Sequence, residues 1–196
     1  MRKRTLYTMF RETVRDHADR PAVRFKRRKQ PDYTTCTYQE LDAWVQRFRG
    51  GLDALGLRKG DRMALVSHEN RAEWAVADLA AQSLGLITVP IYGTLPAAQV
   101  AYYLRDSEAR AIVAGDSKQR AKIAECRAEL PALEHVIAME GEQADLDAEG
   151  SLAFETVCGR EADGRSKAEL DAAAEYISPD DVATLIYTSG TTGDPK

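Results

Sequence analysis

At residues 187–196 the sequence reads Tyr187-Thr188-Ser189-Gly190-Thr191-Thr192-Gly193-Asp194-Pro195-Lys196. The run up to and including Tyr187, Val182-Ala183-Thr184-Leu185-Ile186-Tyr187, is mostly apolar and contains three β-branched side chains. This pattern predicts a buried parallel strand over residues 182–187. We expect the chain from Thr188 onward to leave the end of that strand as a loop outside the sheet.

The predicted loop has the chemistry of a phosphate-binding site. Gly190 and Gly193 allow the backbone to take positive φ and to bring its N–H groups close to an anion. Lys196 adds a mobile positive charge. Four hydroxyl groups complete the set, those of Thr188, Ser189, Thr191 and Thr192.

Two other interpretations of this loop are less favourable. The common nucleotide-binding loop G-x-x-x-x-G-K-[ST] is excluded because Pro195 stands five residues after Gly190 and no Gly-Lys pair follows. A fold of the P-loop NTPase kind is therefore disfavoured. A solvated linker would have a similar composition, but it would require neither the strand pattern before the loop nor two glycines spaced for a turn.

The length of the chain suits one domain or a little more, and its composition is that of an ordinary globular protein. The chain has 44% hydrophobic and 30% charged residues, and domains commonly have about 100 to 200 residues. Its net charge of -4 provides no basic surface for nucleic acid. The three cysteines and three histidines are far apart, which indicates neither a disulfide framework nor a zinc site. Without a membrane-spanning run or a signal-type start, we expect a cytoplasmic protein.

The first part of the chain predicts a helix, a hairpin and a second helix. Apolar residues at helical spacing indicate a helix over residues 5–17, and β-rich runs between residues 22 and 37 indicate a β-hairpin. Its charged tip, Lys26-Arg27-Arg28-Lys29, is interpreted as a solvated turn rather than as a patch for anionic lipid or nucleic acid. Thr37 and Glu40 have the spacing of a capping box that opens the second helix.

From Lys59 onward, short apolar strands alternate with helices. The predicted strands lie at residues 63–66, 86–89, 111–114 and 135–138. The predicted helices lie at residues 73–84, 97–104 and 118–130. This alternation predicts an α/β fold with parallel strands covered by helices on both faces. Residues 141–174 have only weak apolar anchors, so we expect an irregular surface connection with a short helix there.

Two further motifs accompany the loop. The first, Asn70-Arg71-x-Glu73-Trp74, follows a predicted strand, at the edge where open α/β sheets bind ligands. By itself, Asn70 would be expected to cap a helix, and Arg71 and Glu73 to form a surface ion pair. The second is Thr88-Val89-Pro90-Ile91-Tyr92-Gly93-Thr94-Leu95-Pro96.

These motifs carry a resemblance to a known family. Residues 187–196 are similar, residue for residue, to the signature loop of the adenylate-forming superfamily, which includes acyl-CoA synthetases, luciferases and adenylation domains of peptide synthetases. The other two motifs resemble those of the long-chain fatty-acyl-CoA synthetases within it. Gly93 departs from the Pro or Asp expected between Tyr92 and Thr94, which affects only the assignment to the subfamily.

The resemblance implies an AMP-forming acid:CoA ligase that acts on a fatty acid, ATP and coenzyme A. A carboxylate would attack the α-phosphorus of ATP in the presence of Mg²⁺, and the CoA thiol would then displace AMP. In this role Lys196 would be the catalytic residue that compensates charge, Thr188 would contact phosphate or Mg²⁺, and Tyr187 would pack in the strand. The other expected phosphate contacts are Ser189, Gly190, Thr191, Thr192 and Gly193.

The resemblance also implies that residues 1–196 are the N-terminal portion of the AMP-binding domain, truncated within the phosphate-binding loop. The family's adenine and Mg²⁺ motif, its ribose-binding Asp and its late Lys would lie further on, and we expect residues 1–196 alone to be inactive. Two alternatives stay open: an adenylate-forming ligase with a carrier-protein or amino-acid acceptor, and a non-catalytic truncated product. Peripheral contact with the inner membrane face is a further expectation.

Overall fold

The chain is built on a five-stranded parallel sheet in a computed structural model that describes residues 4–26 and 31–188. The strands are β1 (Pro21–Phe25), β2 (Thr34–Thr37), β3 (Arg62–Ser67), β4 (Ile87–Tyr92), β5 (Ala111–Ala114), β6 (His135–Ala138) and β7 (Leu152–Ala153). The helices are α1 (Leu6–His17), α2 (Tyr38–Ala54), α3 (Ala72–Leu84), α4 (Ala97–Asp106), α5 (Ser117–Cys126), α6 (Gln143–Leu146), α7 (Phe154–Cys158) and α8 (Lys167–Ala174).

The parallel sheet has the strand order β4-β3-β5-β6-β7 and is covered on both faces. Alternate residues of β3 face opposite cores: Met63 and Leu65 pack with α2 and α3, whereas Ala64 and Val66 pack with α4 and α5. Because both faces of the strand are buried, its sequence is apolar throughout rather than alternating. The predicted α/β class and the predicted parallel sheet are confirmed.

The hairpin and the capping box predicted near the N-terminus are also present. Strands β1 and β2 pair antiparallel, with Phe25 opposite Thr34. At the start of α2, the backbone N–H of Glu40 donates to Thr37 Oγ1 at 3.2 Å, and the backbone N–H of Thr37 donates to Glu40 Oε2 at 2.8 Å. Two N–H groups that the helix leaves unpaired are thereby satisfied. Of the predicted charged tip at residues 26–29, residues 27–29 lie outside the described ranges.

Residues 141–174 differ from the predicted irregular surface connection. Strand β7 joins the sheet beside β6, and α6, α7 and α8 follow the same stretch. The ring of Phe154 stacks on that of Phe48 at 4.0 Å between centroids, and Val157 and Cys158 are fully buried. The few apolar residues of this stretch therefore belong to the main core, and they hold an otherwise polar segment against it.

Buried ionic contacts tie the end of this stretch to α2. The Asp53 carboxylate accepts hydrogen bonds from the backbone N–H and the guanidinium of Arg165, both at 2.8 Å, and from Arg58 at 2.9 Å. Burial works to raise the pKa of Asp53, but the Arg165 hydrogen bonds and the charges of Arg58 and Arg165 outweigh it and hold that pKa below its usual value. A buried charge is tolerated here because it is paired.

No helix in the described part of the chain is long and apolar enough to cross a membrane.

Replacing Gly51 by alanine is expected to lower the free energy of unfolding by about 2 kcal/mol. A Cβ at Gly51 would lie 1.9 Å from the carbonyl oxygen of Val157, so α2 and α7 would have to separate. Because this clash is with backbone atoms, we take the upper end of the usual cost of overpacking, about 3 kcal/mol, against about 1 kcal/mol gained from the better helix propensity of alanine. Urea unfolding followed by circular dichroism measures the difference.

Gly159→Ala is the matched control for this prediction. A Cβ at Gly159 would meet only carbonyl oxygens at 3.5 Å, which is an ordinary contact. We expect its unfolding free energy to stay within about 0.5 kcal/mol of the parent protein. Equal stability of the two variants would contradict the close approach of α2 to α7.

Candidate functional site

Residues 182–188, which lead into the predicted phosphate loop, cross the edge of the sheet near the start of β4. The backbone N–H of Thr88 donates to the carbonyl oxygen of Ala183 at 3.0 Å, and the N–H of Leu185 donates to the carbonyl oxygen of Thr88 at 2.9 Å. These two bonds form a single parallel bridge between Thr88 and Thr184. The direction of the segment is therefore parallel to β4, as predicted.

The predicted buried strand over residues 182–187 is wrong in extent and in burial. The segment makes one bridge instead of a continuous ladder, and Val182 and Ile186 are 56% and 66% exposed. Leu185 and Tyr187 instead pack against the core that α4 forms with the sheet, so the segment follows that helix after the bridge. Side chains of an extended segment stand out of the plane of the sheet, and no described element covers those of Val182 and Ile186.

Tyr187 has the packing role that the sequence predicted, although it packs against a helix. Its ring stacks on Tyr103 with 4.4 Å between centroids and 13° between planes, and its hydroxyl donates to Asp106 Oδ2 at 2.6 Å. Burial and the neighbouring Asp106 carboxylate raise the pKa of Tyr187 well above its usual value. The phenol is therefore neutral at physiological pH and is poorly suited to proton transfer.

Of the predicted site residues, only Thr188 lies in the described part of the chain. It is exposed, and it follows directly on the packed Tyr187. The predicted roles of Ser189, Gly190, Thr191, Thr192, Gly193 and Lys196 concern residues outside the described ranges. The structure thus describes how the chain approaches the predicted loop, and the roles of the loop residues stay predictions.

A crevice opens at the carboxyl ends of the strands, where the loops after β3, β4 and β5 converge. The strand order reverses at β3, because β4 lies on one side of it and β5 on the other. Ligands of open α/β sheets bind at such points. The crevice has a volume of about 360 Å³, and its lining includes His68, Thr94, Asp116 and Lys118. Its mixed charges suit a polar or ionic ligand.

At position 93, in the loop after β4, there is little room for any residue larger than glycine. A Cβ at Gly93 would lie 2.7 Å from both the backbone nitrogen of His68 and the carbonyl oxygen of Ser67. Gly115 likewise approaches the side chain of Ser67, where a Cβ would lie 2.3 Å from Oγ. With the three loops this close together, a side chain at position 93, including the expected Pro or Asp, would require the backbone at Ser67 and His68 to shift.

Lys122 holds the loop after β4 in place. Its Nζ donates to the carbonyl oxygens of Gly93 and Leu95, both at 2.8 Å, and to Gln119 Oε1 at 3.1 Å. The Gln119 amide also donates to the carbonyl oxygen of Gly93 at 3.0 Å. An ammonium group thus serves as a cross-brace between α5 and the β4–α4 loop. The sequence contained no local signal for this role, because the partners lie more than twenty residues apart.

The motif Asn70-Arg71-x-Glu73-Trp74 also lies at the carboxyl ends of the strands, and it connects the loop after β3 with the loop after β6. Arg71, and not the predicted Asn70, is the N-cap of α3, and its side chain makes no capping bond. Instead its guanidinium contacts Glu73 at 3.3 Å and Glu140, which follows β6, at 3.1 Å. The predicted Arg71–Glu73 pair is therefore present, but it is partly buried and extends to a second carboxylate. It borders a cavity of about 780 Å³ that is rich in carboxylates.

Two polar residues contact residues 182–188, here called the crossing segment, in roles that the sequence did not predict. Gln82 and Thr88 are buried, and both contact Ala183. The only available signal was an amide on the apolar face of α3, where Ala77, Ala80, Ala81 and Leu84 are buried. A polar residue on an apolar helix face needs a hydrogen-bonding partner.

Comparison with known proteins gives consistent similarities. The family model described as AMP-binding enzyme matches residues 10–196. The chain is 36% identical to long-chain-fatty-acid--CoA ligase FadD15 of Mycobacterium bovis, over 94% of the chain and 31% of that protein. It is 29% identical to long-chain-fatty-acid--CoA ligase 6 of Mus musculus, over 98% of the chain and 28% of that protein. The chain therefore spans about a third of the length of these relatives.

A solved structure of similar fold is the apo structure of MbtA from Mycobacterium smegmatis. It superimposes with a TM-score of 0.77 at 29% identity, over 100% of this chain and 33% of that chain. The comparisons of sequence and of structure therefore both cover nearly all of the chain.

Proposed function

This chain belongs to the AMP-binding enzyme family, and from that premise we propose that the protein converts a long-chain fatty acid into its CoA thioester. In the first step the carboxylate of the acid attacks the α-phosphorus of ATP, which forms an acyl-adenylate and releases pyrophosphate. In the second step the thiol of coenzyme A displaces AMP. The proposal concerns the whole protein, because the relatives named for this reaction are about three times as long as the chain.

The observation that carries the proposal is the 36% identity to a long-chain-fatty-acid--CoA ligase over 94% of the chain. The family match extends to residue 196, so it includes every residue of the predicted phosphate loop. The long-chain acid is further supported by the motif over residues 88–96. A cytoplasmic location with peripheral contact at the inner membrane face completes the proposal, since long-chain acids partition into lipid.

The residues of the loop have separate proposed roles in the first step. The leaving pyrophosphate carries the developing negative charge, and catalysis requires that charge to be held by donors placed in advance. Backbone N–H groups at Gly190 and Gly193 would approach the β- and γ-phosphates most closely. The Lys196 ammonium would neutralise the charge that accumulates as the bond to the α-phosphorus breaks. The remaining proposed contacts are the hydroxyl groups of Ser189, Thr191 and Thr192.

Magnesium would enter as the counter-ion of ATP. Among residues 4–26 and 31–188 there is no group of three or more His, Cys, Asp or Glu side chains that could hold a metal ion. Mg²⁺ accepts oxygen ligands and is commonly bound by one or two carboxylates together with substrate phosphates. The hydroxyl of Thr188 is a suitable oxygen but does not form a site by itself. We therefore limit its proposed role to a contact with phosphate or with phosphate-bound Mg²⁺.

The proposed function is tested by acid-dependent ATP–pyrophosphate exchange on the protein expressed from its full reading frame. We expect exchange with palmitate to exceed exchange with octanoate or with an amino acid, and we expect the second step to accept CoA. Transfer to an acyl carrier protein but not to CoA would indicate the other class of adenylate-forming ligase. Absence of exchange with every acid would contradict the proposal and favour a non-catalytic chain.

A further inference from the structure

We propose that Gln82 is a positioning residue for the predicted phosphate loop. It would act through Ala183, at the point where residues 182–188 cross the edge of the sheet. The consequence for catalysis rests on the proposed function, whereas the structural part of the inference can be tested by itself. Gln82 lies in the last turn of α3, and α3 packs against the sheet face opposite to α4.

Hydrogen bonds converge on the carbonyl oxygen of Ala183. It accepts from the Gln82 amide Nε2 at 3.0 Å, from the Thr88 backbone N–H at 3.0 Å and from Thr88 Oγ1 at 3.5 Å. The carbonyl oxygen of Thr88 in turn accepts from the backbone N–H of Leu185 and from Thr184 Oγ1, both at 2.9 Å. Gln82 and Thr88 together therefore hold three successive residues of the crossing segment.

The burial of these groups indicates that the polar contacts have a purpose beyond filling space. Gln82 is 8% exposed and Thr88 is 3% exposed. A methionine would fill the place of Gln82 without the cost of burying an amide. Among the residues that the structure describes, the Gln82 amide donates to Thr88 and Ala183 and contacts the carboxyl group of Asp78 one turn earlier on α3. Polar groups at this position thus specify where the crossing segment lies.

The anchor has its effect because the crossing segment has little other support from the sheet. Within the described residues, the Thr88–Thr184 bridge is the only strand-type pairing of this segment. The predicted loop begins a few residues later. Between Ala183 and that loop the segment is also held by the packing of Leu185 and Tyr187 on the side of α4, so loss of the Ala183 anchor would leave the described approach to the loop with one anchor instead of two. Placing donors in advance is the source of their catalytic effect, and small displacements are costly. Loss of the Gln82 contact should therefore weaken the use of ATP rather than that of CoA.

The structural part is tested by amide hydrogen exchange at Leu185, whose N–H donates to Thr88. We expect Gln82→Met and Thr88→Val to speed this exchange by about three- to tenfold, the equivalent of one buried hydrogen bond. Thr88→Ser, which keeps the hydroxyl group, should restore the parent rate. Ser83→Ala is the control: it removes a buried hydroxyl on the same helix that donates at 2.6 Å to Ala80 in its own helix. Unchanged exchange in Gln82→Met would overturn the inference.

The catalytic part is tested on the protein expressed from its full reading frame. We expect Gln82→Met to raise the KM for ATP about fivefold in the pyrophosphate-exchange assay. The rate of CoA attack on preformed acyl-adenylate should stay unchanged, and so should both steps in Ser83→Ala. Equal effects on the two steps, or an effect of Ser83→Ala as large as that of Gln82→Met, would reduce Gln82 to a residue of general stability.

The two tests separate failure of the inference from failure of the proposed function. If the parent protein shows no exchange with any acid, the proposed function fails, and the hydrogen-exchange result alone decides whether Gln82 anchors the segment. If the parent protein is active and the KM for ATP does not respond to Gln82→Met, the proposed function stands and the positioning role is wrong.

Discussion

Lys196→Ala is expected to slow acyl-adenylate formation by about 100-fold or more and to leave thioester formation nearly unchanged. Only the first step builds negative charge on a departing pyrophosphate, so only that step should need the ammonium group. Removing one preorganised electrostatic contact of this kind costs about 2.7 to 4 kcal/mol in transition-state stabilisation. Rapid-quench measurement of each half-reaction, on the protein expressed from its full reading frame, supplies the two rates.

The matched control is Lys167→Ala. Lys167 is an exposed lysine on α8 that pairs with Asp171 one turn away at 2.5 Å, far along the chain from the predicted loop. Exposed pairs of this type contribute little, so both half-reactions should keep their rates. Equal slowing of the two half-reactions in Lys196→Ala would sink the assignment of this lysine to pyrophosphate.

Features that depend on neighbouring residues could be predicted from the sequence. The Thr37–Glu40 capping box needs only two residues three apart, and both of its hydrogen bonds are present. The strands β3 to β6 are short apolar runs between helices, and such runs predict a sheet that is buried on both faces. The order of strands in the sheet was not predicted, because it depends on which loops pack together.

Features that depend on distant residues could not be predicted. Strand β7 has two residues, too few for a periodic pattern, and it exists because Ala153 pairs with Ala138 and Phe154 stacks on Phe48. The path of the crossing segment is another example. The apolar run over residues 182–187 predicted a buried strand, whereas Tyr187 packs on Tyr103 of α4, and no local pattern specifies that partner.

The candidate site likewise has features that the sequence predicts and features that it does not. The composition of residues 187–196 predicts phosphate chemistry because glycine, hydroxyl and lysine groups act through their own properties. The support beneath them comes from elsewhere in the chain: Gln82 and Thr88 hold Ala183 near the start of β4, and Lys122 braces the loop that follows β4 through Gly93. A supporting residue of this kind has no chemical signature, so it becomes visible only when its partners are located.

The polypeptide of residues 1–196 by itself is expected to show no acid-dependent ATP–pyrophosphate exchange, even at high protein concentration. A polypeptide that stops at Lys196 has an α-carboxylate beside the ammonium group proposed to hold phosphate, and with a pKa of about 3.5 it is ionised at neutral pH. At about 4 Å and an effective dielectric constant of about 20, that charge opposes an incoming anion by up to about 4 kcal/mol before screening by salt.

A second reason for inactivity can be separated from this charge. The relatives matched by the chain are about three times as long, and the crossing segment has a single bridge to β4 among the described residues. The control is the same polypeptide with a C-terminal amide, which removes the negative charge. If the charge alone prevents activity, the amide form should gain exchange. We expect it to stay inactive, because it still has only about a third of the length of the relatives that it matches. The opposite result would be exchange by the unmodified polypeptide that disappears in the double variant Thr191→Val, Lys196→Ala. It would show that residues 1–196 contain a working site, and it would contradict both reasons.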